Sequence, residues 1–188
     1  MDVQTAILQR RTIRRFQKTA VDPERIRKLV DLSRLYASGG NLQPIRYIGV
    51  TEKKLRDKIF PALRWAAYLP GFQISEENRP MAYVILTCES GKKQACQFDL
   101  GASATTLMLA AEGEGLSTCC LGAFHRDTLV EALGLSEDME PLLVIALGIA
   151  AEHSRVAPWN GDVKYFEDPD GNLCVPKRSL DEIFELRE

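Results

Sequence analysis

The sequence predicts one domain in which helices and strands share a single core, and three observations carry that expectation. The stretch Asp99–Phe124, DLGASATTLMLAAEGEGLSTCCLGAF, is the longest in the chain that is nearly free of large charge. A helix with Leu, Met, Ala, Gly, Ser and Thr on every side has no polar face, so it is expected to be buried all round. Two continuous apolar runs, MAYVILTC at 81–88 and LLVIALGI at 142–149, contain β-branched residues and read as buried strands. With 188 residues and 45% hydrophobic content, the chain is long enough for one packed core and short for two, so residues 1–188 are expected to form one domain.

Composition removes several classes of function. A net charge of −2 provides no global field for nucleic acid or for a membrane surface, so any basic site must be local. No run approaches the roughly 20 apolar residues of a membrane span. Five cysteines without CxxC spacing, and no apolar stretch near the N-terminus, point to a reduced, cytoplasmic protein. A bridge between adjacent Cys119 and Cys120 would be strained, so buried free thiols are expected there.

In chain order, Val3–Gln9 is a short amphipathic helix that runs into RRTIRRF, Arg10–Phe16. Between Asp2 and Asp22 there is no acidic residue, yet Arg10, Arg11, Arg14, Arg15 and Lys18 all fall there. Guanidinium groups bind phosphate through paired N–H donors, and Thr12 adds a hydroxyl at the same place. The competing explanation is a solvated basic face, against which Ile13 and Phe16 between the arginines argue for an ordered segment. Asp22-Pro23-Glu24 reads as a cap and first turn of a helix reaching about Tyr36.

The loop ASGGNLQP, 37–44, presents donors and acceptors at Asn41 and Gln43, as the edge of a uracil-like ring requires, or as a capped turn requires. Arg46–Thr51 reads as a strand and Glu52–Phe60 as a surface helix. Residues 61–80 hold Trp65, Tyr68 and Phe72 among prolines and Gly71, a pattern that suits a small satellite core or a cap over a flat ring. Asp99 is expected to N-cap the central helix, which Gly113 and Gly115 end. A β-like run, Ser117–Phe124, follows with Gly122 inside it, the mark of a bulge or of a close approach by another group.

Arg126–Leu133 reads as a helix stopped at Gly134. Beyond residue 150, Pro158, Asn160-Gly161 and Asp168-Pro169-Asp170-Gly171 are turn chemistry. A calcium loop there fails because its first and twelfth positions would be Phe166 and Lys177. Leu173–Val175 reads as a short strand, Lys177 and Arg178 as a second cation cluster, and Leu180–Leu186 as a last helix suited to lie against a partner subunit.

Only two histidines are present and no GxSxG precedes either, so a Ser–His hydrolase is excluded. Zinc-ligand spacing, both nucleotide-binding fingerprints and a convincing acid–base pair are missing. The remaining parts are a phosphate-grade cation cluster, an amide-rich loop and a glycine loop, which suit a protein that holds a cofactor carrying the chemistry.

Four stretches in order, RRTIRRF, SGGNLQP, the Asp-Leu-Gly-Ala helix leading to Leu121-Gly122-Ala123-Phe124, and VPKRSLDEIF, together resemble the FMN-dependent nitroreductase family over essentially the whole chain. The resemblance implies an α+β fold with a central mixed or antiparallel sheet flanked by helices, in an intertwined homodimer with FMN at each of two sites between subunits. It implies that Arg10, Arg11 and Thr12 hold the FMN phosphate and that Arg14 lies nearer the ribityl and pyrimidine side. Asn41 and Gln43 would meet the pyrimidine edge. Leu121, Gly122 and Ala123 would supply backbone beside the reactive edge of the ring, and Lys177 with Arg178 would return to the phosphate. No side chain would be catalytic, because the flavin carries hydride from NADH or NADPH to a nitroaromatic, quinone or similar small-molecule acceptor. Ile45 stands where many members have tryptophan, and the region between the second and third strands is short, which directs the acceptor pocket to Trp65, Tyr68 and Phe72. Two other classes compete: a non-catalytic flavin-binding sensor or cofactor-handling protein, and a nucleic-acid module using Arg10–Lys18, which the net charge disfavours.

Overall fold

The computed structural model describes residues 1–188. They form α1 (Val3–Gln9), α2 (Pro23–Ser33), β1 (Arg46–Val50), α3 (Lys53–Ile59), β2 (Ala82–Glu89), α4 (Gln97–Gly113), β3 (Ser117–Leu121), α5 (Arg126–Leu133), β4 (Met139–Gly148), β5 (Ser154–Pro158), β6 (Phe166–Glu167) and β7 (Leu173–Lys177). Helix starts follow local chemistry. The Asp2 and Asp22 side chains accept the N–H groups of Thr5 and Glu24, Pro23 opens α2, and Glu52 caps α3 at the Lys54 and Leu55 N–H groups. Gly134, in the left-handed region at φ 61°, closes α5.

The main sheet has the order β1-β2-β4-β3 and is antiparallel throughout. Side chains alternate along a strand, so β2 and β4 present two apolar faces. Ala82, Val84, Leu86, Ile145 and Leu147 pack with Leu29 of α2 and with Leu100, Ala104 and Leu107 of α4. Tyr83, Ile85, Val144 and Ala146 pack on the other side with Ile13, Phe16, Ile59 of α3 and Leu129 of α5. Both central strands are continuous apolar runs because helices cover both faces of the sheet.

Several expectations are corrected. The central helix starts at Gln97, and Asp99 lies inside its first turn rather than capping it. Its burial is one-sided: Leu100, Ser103, Ala104, Leu107 and Ala111 face the core, while Gly101 and Thr105 are exposed and Phe98 is 67% exposed. Cys119 is buried and Cys120 exposed, both free thiols. Residues 180–186 form one turn at 181–183 followed by irregular chain, and no helix, because they lie away from any core that would bury their apolar side chains. A second sheet, β5-β7-β6, gathers the turn-rich C-terminal part, and its β5 and β7 strands are parallel.

Phe16, with no exposed surface, closes the second core against Gly148. A Cβ at Gly148 would fall 2.9 Å from Phe16 Cδ1 and 3.1 Å from its Cβ, so Gly148→Ala is expected to destabilise the fold by about 1–3 kcal/mol in urea unfolding. Unchanged stability would show that Phe16 has room to move.

Candidate cofactor site

Residues 10–16 are laced between β3 and the exit of β4. The Ile13 N–H donates to the Thr118 carbonyl at 2.9 Å, Thr12 bridges Thr118 in parallel fashion, the Gln17 N–H donates to the Ile149 carbonyl at 2.8 Å, and the Ala151 N–H donates to the Arg15 carbonyl at 2.9 Å. Ile13 and Phe16 turn into the core, which fixes where the four arginines emerge.

The arginines do different things. Arg11 folds back to donate to the carbonyls of Leu8 and Arg10, both at 2.5 Å, and so caps α1. Arg10 and Arg11 both lie near Glu112 at the C-terminal end of α4; burial pushes that carboxyl up and the two guanidiniums oppose the shift. Arg15 is a structural cation, bound to Glu152 at 3.1 Å and Glu167 at 3.2 Å, with its guanidinium 4.5 Å from the Phe72 ring centroid. Arg14 differs from all of these. It is 8% exposed, its Nε and Nη1 are buried without a partner, and the Tyr165 ring lies 4.4 Å from its guanidinium carbon. Glu152 does not neutralise it, because one carboxylate oxygen accepts the Arg14 backbone N–H at 2.5 Å and the other takes Arg15. A buried guanidinium with unmet donors is costly, which sets Arg14 apart from the other arginines of the strip.

The amide loop is built differently. Gly40, Asn41 and Gln43 have φ of 54°, 55° and 48°, a left-handed conformation that asparagine tolerates and glutamine rarely adopts. Ser38 holds it: its hydroxyl donates to Asp99 Oδ1 at 2.5 Å and accepts the Gln43 N–H at 2.8 Å. Gln43 Nε2 donates to Asn41 Oδ1 at 3.0 Å and the Gln43 backbone carbonyl accepts from Arg46 Nη1 at 3.0 Å, which leaves the Asn41 side-chain amide donor and the Gln43 side-chain carbonyl free on an exposed surface.

Leu121 is buried at the end of β3, while Gly122 and Ala123 are exposed. The Arg64 N–H donates to the Ala123 carbonyl at 3.0 Å, and the His125 N–H to the Ala62 carbonyl at 2.8 Å. A Cβ at Gly122 would meet only Leu143 Cδ1, at 3.8 Å, so no contact within this chain demands glycine there. Burial pushes the neighbouring Cys119 thiol up to about 12, which makes it inert at neutral pH.

Of the aromatic trio, Trp65 packs on Phe60 at 5.8 Å with its indole N–H unpartnered, Phe72 covers Arg15, and Tyr68 stacks on Tyr165 at 5.1 Å. The structure thus brings Arg14 and Tyr68 against Tyr165, and Arg15 against Phe72; sequence reasoning missed Tyr165 because it lies in a turn-rich tract without periodicity. Lys177 and Arg178 stand apart on the second sheet, where Arg178 lies 4.7 Å over Trp159 beside a shallow groove that residues 10–14 do not line. The Ser38–Gln43 loop and the Arg10–Arg11 pair are not brought together either: Asp99 and Glu112 mark opposite ends of α4, about 20 Å apart at 1.5 Å per residue.

Ser38→Ala removes both hydrogen bonds that hold the strained loop and leaves Asp99 short of a donor. The expected result is a loss of about 1–3 kcal/mol in thermal or urea unfolding, with faster amide exchange at residues 39–43; unaltered exchange would contradict the anchoring role.

Comparison with known proteins agrees with this architecture. Residues 7–68 and 79–149 match the Nitroreductase family, and the unmatched interval between them contains Phe72. A protein of Methanothermobacter thermautotrophicus, provisionally named NADH dehydrogenase/NAD(P)H nitroreductase, is 28% identical over 160 residues, covering 81% of this chain and 80% of the relative. An Archaeoglobus fulgidus protein with the same provisional name is 28% identical over 151 residues, covering 76% and 82%. Among solved structures, an FMN and NADPH-dependent nitroreductase from Sphigopyxis sp. strain HMH superposes with a TM-score of 0.71 at 19% identity over 100% of both chains. A nitroreductase family protein of Clostridium novyi NT gives 0.67 at 22% identity over 80% of this chain and 86% of the other. The two structures speak for the fold, and the match over most of the sequence settles the kinship: this chain belongs to the nitroreductase family.

Proposed function

We propose that this protein is an FMN-dependent NAD(P)H oxidoreductase, with residues 1–188 acting as one flavin-binding domain. The observation that carries the reading is Arg14, a buried cation with two uncommitted donors inside the segment that the family match includes. These donors fit an electron-rich ring edge that gains negative charge on reduction. The protein from Sphigopyxis is described as FMN and NADPH-dependent, which supports the same cofactor and reductant for this chain.

When bound, FMN would supply hydride transfer from NADH or NADPH to a nitroaromatic, quinone or similar acceptor. This chain's residues would bind and orient it. Arg10, Arg11 and Thr12 would hold the phosphate, Arg11 by exchanging its carbonyl partners at Leu8 and Arg10 for it, and Lys177 with Arg178, which stand apart in the single chain, would be a further pair of cations for the same group. Arg14 and the amides of Asn41 and Gln43 are the partners of the polar ring edge. The backbone of Leu121, Gly122 and Ala123 would serve the reactive edge of the ring, and Trp65, Tyr68 and Phe72 would border the acceptor.

Because the loop and the cations occupy opposite ends of α4, a complete site requires two copies. The outer face of α4 offers Phe98, Gly101 and Thr105, and α1 offers Val3 and Leu8, which are 71% and 70% exposed. Nothing in this chain lies within 4 Å of a Cβ built at Gly101, so the glycine serves the approach of another backbone. A homodimer packed on these faces covers the apolar surface and carries the amide loop of one copy toward the cations of the other.

The purified protein is expected to be yellow, to be bleached anaerobically by NADH or NADPH, and to sediment at twice its 21.0 kDa chain mass. A colourless protein that takes up no added FMN would overturn the proposal. Arg14→Met is expected to weaken FMN binding by about tenfold or more, the scale of one charge-assisted hydrogen bond. Trp65→Ala is expected to change acceptor KM and kcat while leaving FMN affinity within about twofold; equal losses in both would remove Trp65 from the acceptor pocket.

A further inference from the structure

We propose that Tyr165 is a positioning residue, whose ring holds the Arg14 guanidinium in place and whose contact with Tyr68 ties that cation to the aromatic segment at 61–80. The proposal deepens the flavin reading above and rests on it for its functional consequence, but its structural half stands on this chain alone.

Arginine side chains ordinarily move their charged end toward water. Arg14 does not: it stays 8% exposed, and no carboxylate claims its guanidinium. Glu152, the acidic residue that touches it, is spent on the Arg14 backbone N–H and on Arg15. What the guanidinium has is the face of Tyr165, 4.4 Å from its carbon to the ring centroid, where the negative ring face attracts a cation and leaves its hydrogen-bond donors unused. The ring is itself held. Its hydroxyl accepts the Tyr68 N–H at 3.4 Å, the two tyrosine rings lie 5.1 Å apart at 57°, and the residues that follow form β6, whose Glu167 binds Arg15. Tyr165 therefore joins three segments: the arginine strip, the 61–80 segment and the second sheet. Tyr165 lies beyond the stretches that match the family, whereas Arg14 and Tyr68 lie within them.

Two measurements test it. In the 15N-labelled, flavin-free protein the Arg14 Nε–H resonance is expected to be ring-current shifted and slow to exchange with water. Tyr165→Phe keeps both properties; Tyr165→Leu, which keeps bulk but removes the π face, loses both. An Arg14 signal that is unchanged in Tyr165→Leu overturns the proposal. In FMN titrations followed by flavin fluorescence, Tyr165→Leu is expected to weaken binding roughly three- to tenfold in the wild-type background and to add no loss in the Arg14→Met background. Equal losses in both backgrounds would show that Tyr165 acts independently of Arg14 and would likewise overturn it. A wild-type protein that binds no FMN would defeat the flavin reading alone, while the resonance still decides whether Tyr165 positions Arg14.

Discussion

Everything in this fold depends on covering both faces of the β2 and β4 pair. Those strands contribute side chains in alternation to two cores, so each needs helices on both sides: α2 and α4 on one, α3 and α5 with the arginine strip on the other. The strip is thus part of the packing and not an appendage. Ile13 and Phe16 are buried to complete the second core, and their burial determines the register in which Arg14 and Arg15 emerge. A site assembled this way inherits the rigidity of the core that positions it.

Within the strip, charge is distributed unevenly. Arg15 is neutralised by two carboxylates and serves structure; Arg11 satisfies carbonyls at the end of α1; Arg14 is buried with donors unspent. Within this chain that arrangement is offset in part by the Tyr165 ring, 4.4 Å from the guanidinium carbon, while Nε and Nη1 stay without a partner. The stored positive potential beside a covered, partly apolar surface is what a redox ring that becomes more negative on reduction would use.

The amide loop is the other strained element. Left-handed backbone at Asn41 and Gln43 persists because Ser38 and Asp99 clamp it to the start of α4. The amide loop and the Arg10–Arg11 pair lie at opposite ends of that helix, whose outer face carries Phe98, Gly101 and Thr105. The homodimer proposed above would cover that face and bring the two ends together across the interface.

Legible in the residues alone were the central strands, the helices at Val3–Gln9, after Asp22 and from Glu52, the stop at Gly134, and the chemical grouping of the candidate site into cations, amides and a glycine loop. Period, capping and composition act over a few residues, so they are legible locally. The sequence also carried enough of the family's motifs to indicate the fold. Which arginine is spent and which is free emerged from the three-dimensional packing, since RRTIRRF reads the same until Glu152, Glu167 and Leu8 are placed around it. The second sheet, the absence of a helix at 180–186 and the placement of Tyr165 against Arg14 were likewise hidden, because each depends on which distant side chain supplies burial or a partner. Such contacts between residues far apart in sequence leave no periodic trace, and they are what turned a cluster of like charges into one buried cation with a ring above it.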